Sequence, residues 1–186
     1  MPSAVGSTTL ESVSPTLRMP WQSHAPVASR CRRRTLTLVK YPAVLDFSKV
    51  GSYPAAAKAG GGFVWDEVLE YRVWCHPERG APDLAEGSDY YYPFATHQEA
   101  FEFSNGNAGT EEPLALVLQE EFIDEPEPGR YIHVNARRVA EWPVSFLARP
   151  RRTASTIADF FAPDAPANRL DIIRGLATLN RESEPQ

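Results

Sequence analysis

Cysteine is almost absent: the 186-residue chain has only Cys31 and Cys75. A disulfide framework is not expected, and a reducing, cytoplasmic setting fits better. No CxxC or HExxH occurs, and the four histidines are scattered without zinc spacing, so no metal site is predicted. No run approaches the ~20 apolar residues that a membrane helix needs, so the expectation is a soluble chain with no membrane partner. Positive charge is in short supply. A net charge of −5 argues against general nucleic-acid binding, which relies on excess Lys and Arg to release counterions. Neither GxxxxGK[ST] nor GxGxxG is present, and no internal repeat is found.

Hydrophobic residues make up 42% of the chain, near the globular norm, so its middle should bury a core. Seventeen prolines are too many for a simple helical bundle, because proline lacks the N–H donor and interrupts helices. Charge is uneven. Residues 1–34 hold five arginines against Glu11 alone, a net of +4, and the remainder carries 14 basic against 23 acidic side chains, a net of −9. The first 34 residues are rich in Ser, Thr and Pro and lack a sustained apolar period, so disorder is predicted there. Three readings stand for this stretch: a flexible tail or an over-long start with Met19 as a later one, a transit-like peptide, or a basic arm built on Arg30–Arg34.

From residue 35 the pattern is that of an α+β domain to about residue 147. Its expected form is a small antiparallel or mixed sheet of about five strands with one packed helix. Thr35–Val39 alternates and is a candidate first strand. Pro54 ahead of Ala55–Ala59, with Gly60–Gly62 behind, has the polarity of a short helix. Val68–Cys75 reads as a strand with Leu69, Tyr71, Val73 and Cys75 on one face, and Pro77 ends it. Glu78–Asp89 is a long polar loop and Tyr90–Ala95 a second strand. Thr96-His97-Gln98-Glu99 is a capping box that opens a helix to about Asn105, which Gly106 can close. Leu114–Ile123 is a strand whose Leu114–Leu118 part should be the most buried and whose Gln119–Ile123 part extends outward, Asp124–Gly129 is a turn, Tyr131–Val139 its partner, and Glu141–Leu147 an irregular lid. Residues 148–186 form an extension with a last helix at about 168–179, capped by Asn168.

Several groups carry chemistry that the pattern allows. Cys75 and His76 are neighbours, but strand alternation sends them to opposite faces, so a thiolate at Cys75 would need His97 or His133. The bland alternative is a buried cysteine and a strand-end histidine. Glu67, Glu70, Glu78, Asp83, Glu86 and Asp89 crowd one strand and its loop, as divalent-ion or acid–base groups do and as solvated loops do more often. Gly60–Gly62 invites a phosphate-cradle reading against a plain helix stop. Arg149, Arg151 and Arg152, with Arg137 and Arg138, can take an anion or merely screen an acidic surface. Trp74, Tyr90, Tyr91, Tyr92 and Trp142, with His76, are the candidate ligand or partner surface, because aromatics anchor partners and line pockets. They also fill cores.

The runs Tyr41–Phe47, Ala55–Gly62, Trp65–Pro77, Asp89–Thr96 and Arg169–Gly175 resemble a family of uncharacterised alphaproteobacterial proteins often labelled GCN5-related N-acetyltransferases. The resemblance covers roughly residues 36–175. It implies acetyl-CoA as donor and an amine as acceptor. The Arg/Gln-x-x-Gly-x-Gly/Ala turn with which that superfamily holds pyrophosphate at a helix start has no counterpart here, so no catalytic or cofactor residue is carried over. Two functions are expected to compete. One is a binding or interaction module with an aromatic surface for a protein or small ligand and no cofactor. The alternative is an acetyl-CoA-dependent acetyltransferase.

Overall fold

The longest strand grows from the residues best suited to a pleated surface. In the computed structural model, which describes residues 41–55, 58–59 (backbone only) and 61–177, β2 is Glu67–Cys75, rich in β-branched and aromatic residues. Two neighbours flank it, both antiparallel: β3, Tyr90–Phe94, with Cys75 opposite Tyr90, and β4, Leu114–Gln119, with Tyr71 opposite Ala115. β7, Arg138–Pro143, pairs antiparallel with β4, and the two-residue β1, Lys58–Ala59, lies parallel on its outer edge. The mixed five-stranded sheet therefore runs β1-β7-β4-β2-β3. β5, Phe122–Glu127, and β6, Arg130–Val134, form a separate hairpin. This is the small α+β fold expected.

One face of the sheet carries α1, His97–Gly106, which the Thr96–Glu99 capping box starts. Tyr71, Val73, Ala115, Val117, Trp142 and the helix residue Ala100 share its core. The opposite face is covered by the 51–55 segment, which meets Glu70, Arg72 and Tyr91. A second apolar cluster lies under the hairpin: Phe63, Val64, Phe122 and Ile123 pack with Ile157 and Phe160 of α2, Thr156–Phe161, and Ile173 of α3, Arg169–Ile173. The last helix thus docks on the protein.

Several local expectations are corrected. Leu114–Ile123 is two strands, because the Glu120 N–H donates to Asp66 Oδ2 at 2.7 Å and the chain turns there. The turn expected over Asp124–Gly129 shrinks to its last residues, since β5 runs to Glu127 and Gly129 takes φ +81°. Tyr131–Val139 is likewise divided between β6 and β7. The lid expected from Glu141 is partly an inner strand, whose Trp142 is fully buried. Lys58–Ala59 is extended rather than helical. A bulge between Val68 and Glu70 turns Leu69 away from Tyr71 and Val73 into a cluster with Leu116 and Leu118. α3 stops at Ile173, ahead of Gly175, whose φ of +74° breaks the helical path. Thr35–Val39, the 1–34 segment and residues 178–186 lie outside the described residues.

Candidate functional site

The expected aromatic surface does not exist as one patch. Antiparallel pairing places Tyr90 and Tyr92 on the α1 face opposite Cys75 and Val73, and Tyr91 on the other face opposite Trp74. Tyr90 and Tyr91 are each only 1% exposed, and Trp142 is 0%. Their polar tips are used internally. Tyr90 Oη donates to Pro82 O at 2.8 Å, Tyr91 Oη to Tyr53 O at 3.2 Å, and Trp142 Nε1 to Gly61 O at 3.2 Å. Trp74 packs on Tyr91 and Tyr92 on Phe103, both half-buried. Tyr90, Tyr91 and Trp142 therefore fill the core, and Trp74 and Tyr92 close its half-buried margin.

His76, the sixth candidate, is buried between two acids. Nδ1 lies 2.9 Å from Asp89 Oδ1 and Nε2 lies 3.0 Å from Glu111 Oε1. Both contacts are close enough for ion pairing but off-line for N–H donation, so neither ring nitrogen has a hydrogen bond among the described residues. Arg79 Nη1 donates to the same Glu111 oxygen at 3.0 Å. Cys75 takes no part, and burial pushes its thiol up to about 11, which leaves essentially no thiolate at neutral pH. His97 packs against Tyr41 and Tyr71, and burial lowers its pKa. His133 pairs with Glu121 at 2.6 Å. Neither histidine serves Cys75 as a base.

The six carboxylates of β2 and its loop also separate. Asp83 accepts from the Gly87 N–H, Glu67 pairs with Arg151, and Glu78 lies 3.6 Å from Arg79. Among the described residues no group of three His, Cys, Asp or Glu could hold a metal ion. Glu70 has the most unusual fate. It is fully buried, accepting from the Gly51 N–H and from Arg72 Nε, both at 2.7 Å. Arg72, also fully buried, donates Nη1 to Glu141 at 2.7 Å and Nη2 to Pro54 O at 2.8 Å, and lies over the Tyr91 ring. Sequence reasoning missed this Glu70–Arg72–Glu141 triad, because Glu141 enters from a strand 69 residues away.

The arginines divide into three settings. Arg152 is tied to Asp66 at 2.8 Å and Glu121 at 2.6 Å, and Arg137 lies 3.5 Å from Glu120. Arg138 and Arg149 instead face aromatic rings and the Gly61–Gly62 backbone. Arg151 reaches a cleft of about 660 Å³ between the 150–156 segment, α2 and α3. Pro150, Phe160, Ile172 and Ile173 give this cleft apolar walls, and Arg169 stands opposite with its guanidinium 5.9 Å from the Phe160 ring. Arg151 already pairs with Glu67, whereas Arg169 has no carboxylate partner among the described residues. The sequence offered Arg137, Arg138, Arg149, Arg151 and Arg152 as anion ligands or as mere screening charges, but not Arg169, which the docking of α3 brings to the cleft.

The acetyltransferase resemblance calls for splayed strands beside a free helix N-terminus. β4 is paired with β2 over Leu114–Leu118 and with β7 over Leu114–Gln119, and the Glu99 N–H of α1 donates to Thr96 Oγ1 while the Thr96 N–H donates to Glu99. No family model, no curated protein and no solved structure matches the chain.

Proposed function

We propose that the protein is a non-enzymatic binding module whose cleft between residues 150–156, α2 and α3 takes a small organic anion with an apolar body. The cleft itself carries this reading. Its volume of about 660 Å³ lies within the range of roughly 300–1,000 Å³ typical of small-ligand sites. Its walls are apolar, and polar groups are confined to Arg151, Arg169, Asp159 and the hydroxyls of Thr153, Ser155 and Thr156. Arg169 supplies an unneutralised charge on a chain whose net charge is −5, which favours an anionic group at that end of the cleft. Among the described residues Cys75 is a buried thiol in no disulfide, which supports a reducing, cytoplasmic setting for this module.

The test is a thermal-shift titration with octanoate and 3-phenylpropionate, and with acetyl-CoA as a third arm. Saturable stabilisation of a few degrees by either acid, lost in Arg169→Gln, is the expected result, because selective binding to the folded state raises its stability. No shift at millimolar acid would reject this reading. A saturable shift with acetyl-CoA alone would put the acetyltransferase reading in its place.

A further inference from the structure

We propose that the Gly61–Gly62 turn, Arg138 and Arg149 form a second site, for an oxyanion, separate from the cleft and independent of what binds there. Two guanidiniums converge on one dipeptide. Arg149 Nη1 donates to Gly62 O at 2.5 Å. A Cβ at Gly62 would stand 2.7 Å from Arg138 Nη2, and one at Gly61 would stand 3.1 Å from the same atom. Only glycine lets the backbone lie this close to the cation, and the φ of +73° at Gly62 favours glycine a second time.

Neither charge is matched by a direct ion pair among the described residues, although the Asp124 carboxylate lies near enough to act on Arg138. Arg138 Nε donates to Gln119 Oε1 at 2.6 Å and its guanidinium lies 3.5 Å from the Phe122 centroid. Arg149 lies over Phe146 at 3.7 Å, with Phe63 and Trp142 at 5.0 and 5.1 Å. Every acceptor these two arginines use is neutral, and neither has a carboxylate within ion-pair distance among the described residues. Burial lowers the pKa of both; the Asp124 charge works against this at Arg138, and nearby Arg174 lowers that of Arg149 further. Arg138 Nη2 is buried and has no hydrogen-bond partner among the described residues. A half-buried cation with a spare donor is an expensive arrangement, and an anion taking that donor relieves it. Charge-assisted hydrogen bonds from guanidiniums are a common way to hold phosphate or carboxylate.

The experiment is an NMR titration of the full-length protein with inorganic phosphate. It follows the Gly61 and Gly62 amides and the Arg138 and Arg149 Nε–H signals, with acetate as a parallel arm and chloride at matched ionic strength as the control. The expected result is saturable shifts at these four residues with phosphate and none with chloride. Saturation by acetate as well supports a general oxyanion site, and saturation by phosphate alone supports one selective for a tetrahedral anion. Arg149→Gln should weaken phosphate at least tenfold, while Arg169→Gln in the cleft should leave it unchanged. Shifts that do not saturate, that chloride reproduces, or that Arg169→Gln abolishes would overturn the proposal. The wild-type titration decides even where Arg138→Gln fails to fold, and failure here leaves the cleft reading standing.

Discussion

At the scale of single residues, the Glu70–Arg72–Glu141 triad shows why polarity alone misleads. Two acids and an arginine sit where alternation would put solvent-facing side chains, yet Glu70 and Arg72 are wholly buried. The arrangement holds because Arg72 finds an acceptor for Nε, Nη1 and Nη2 at once. Arg72→Met should cost about 3–5 kcal/mol, since it strands two carboxylates in the interior. Urea denaturation measures this loss, and replacing all three charges together (E70L, R72M and E141M) should recover much of it, because no unpaired ion then remains. His97 gives a pH-dependent counterpart. Burial holds its folded pKa below the unfolded value of about 6.5, so the unfolded chain binds the proton first. The stability it contributes is complete above about pH 6.5 and is lost as pH falls from there through the folded pKa. His97→Phe keeps the ring packing against Tyr41 and removes the titration, so its melting temperature should fall less than wild type between pH 7.5 and 5.5.

At the scale of elements, local chemistry was legible where a motif is self-contained. Thr96 to Glu99 announces α1 because both capping partners lie within one turn, and Pro77 ends β2 by withholding a donor. Thr96→Ala should therefore cost about 1 kcal/mol, read from the urea midpoint. What was not legible depends on distant partners. The break after Gln119 needs the Asp66 carboxylate, and β7 is acceptable as an inner strand only because Arg72 neutralises Glu141. The same holds for the loop after β2, which a polar run of residues leaves shapeless. In the fold, Ala81 and His76 are pinned by the α1–β4 connection. The His76 N–H donates to Gly109 O at 2.8 Å, and a Cβ at Gly109 would stand 2.1 Å from Ala81 N. With φ at +71° as well, Gly109→Ala should destabilise by about 2 kcal/mol or more, from backbone strain and displacement of that loop. A matched Gly87→Ala shares the positive φ but meets nothing within 4 Å, so the difference between the two urea midpoints isolates the packing cost.

At the scale of the molecule, the candidate site was only half visible beforehand. The arginines and the glycine run could be named, yet what assembles them is the return of the C-terminal segment across the hairpin. Trp65 Nε1 donates to Arg149 O at 2.9 Å and the Arg152 N–H to Trp65 O at 2.7 Å, so the segment is stitched on by backbone as well as by the Asp66 and Glu121 ion pairs. Ile157, Phe160 and Ile173 then close the cluster over Phe63, Val64, Phe122 and Ile123. Burying a side chain of this size contributes roughly 1.5–3 kcal/mol, so the three together represent a large part of the roughly 5–15 kcal/mol by which domains are stable. A chain ended at Ala148 loses them, uncovers the aromatic floor of the hairpin and removes both proposed sites at once. It should aggregate, or lose its cooperative thermal transition and bind a hydrophobic dye, as measured by circular dichroism and dye fluorescence. A truncated chain with an unchanged melting temperature would mean that the C-terminal helices are an attachment, and that the cleft they line belongs to no stable part of the protein.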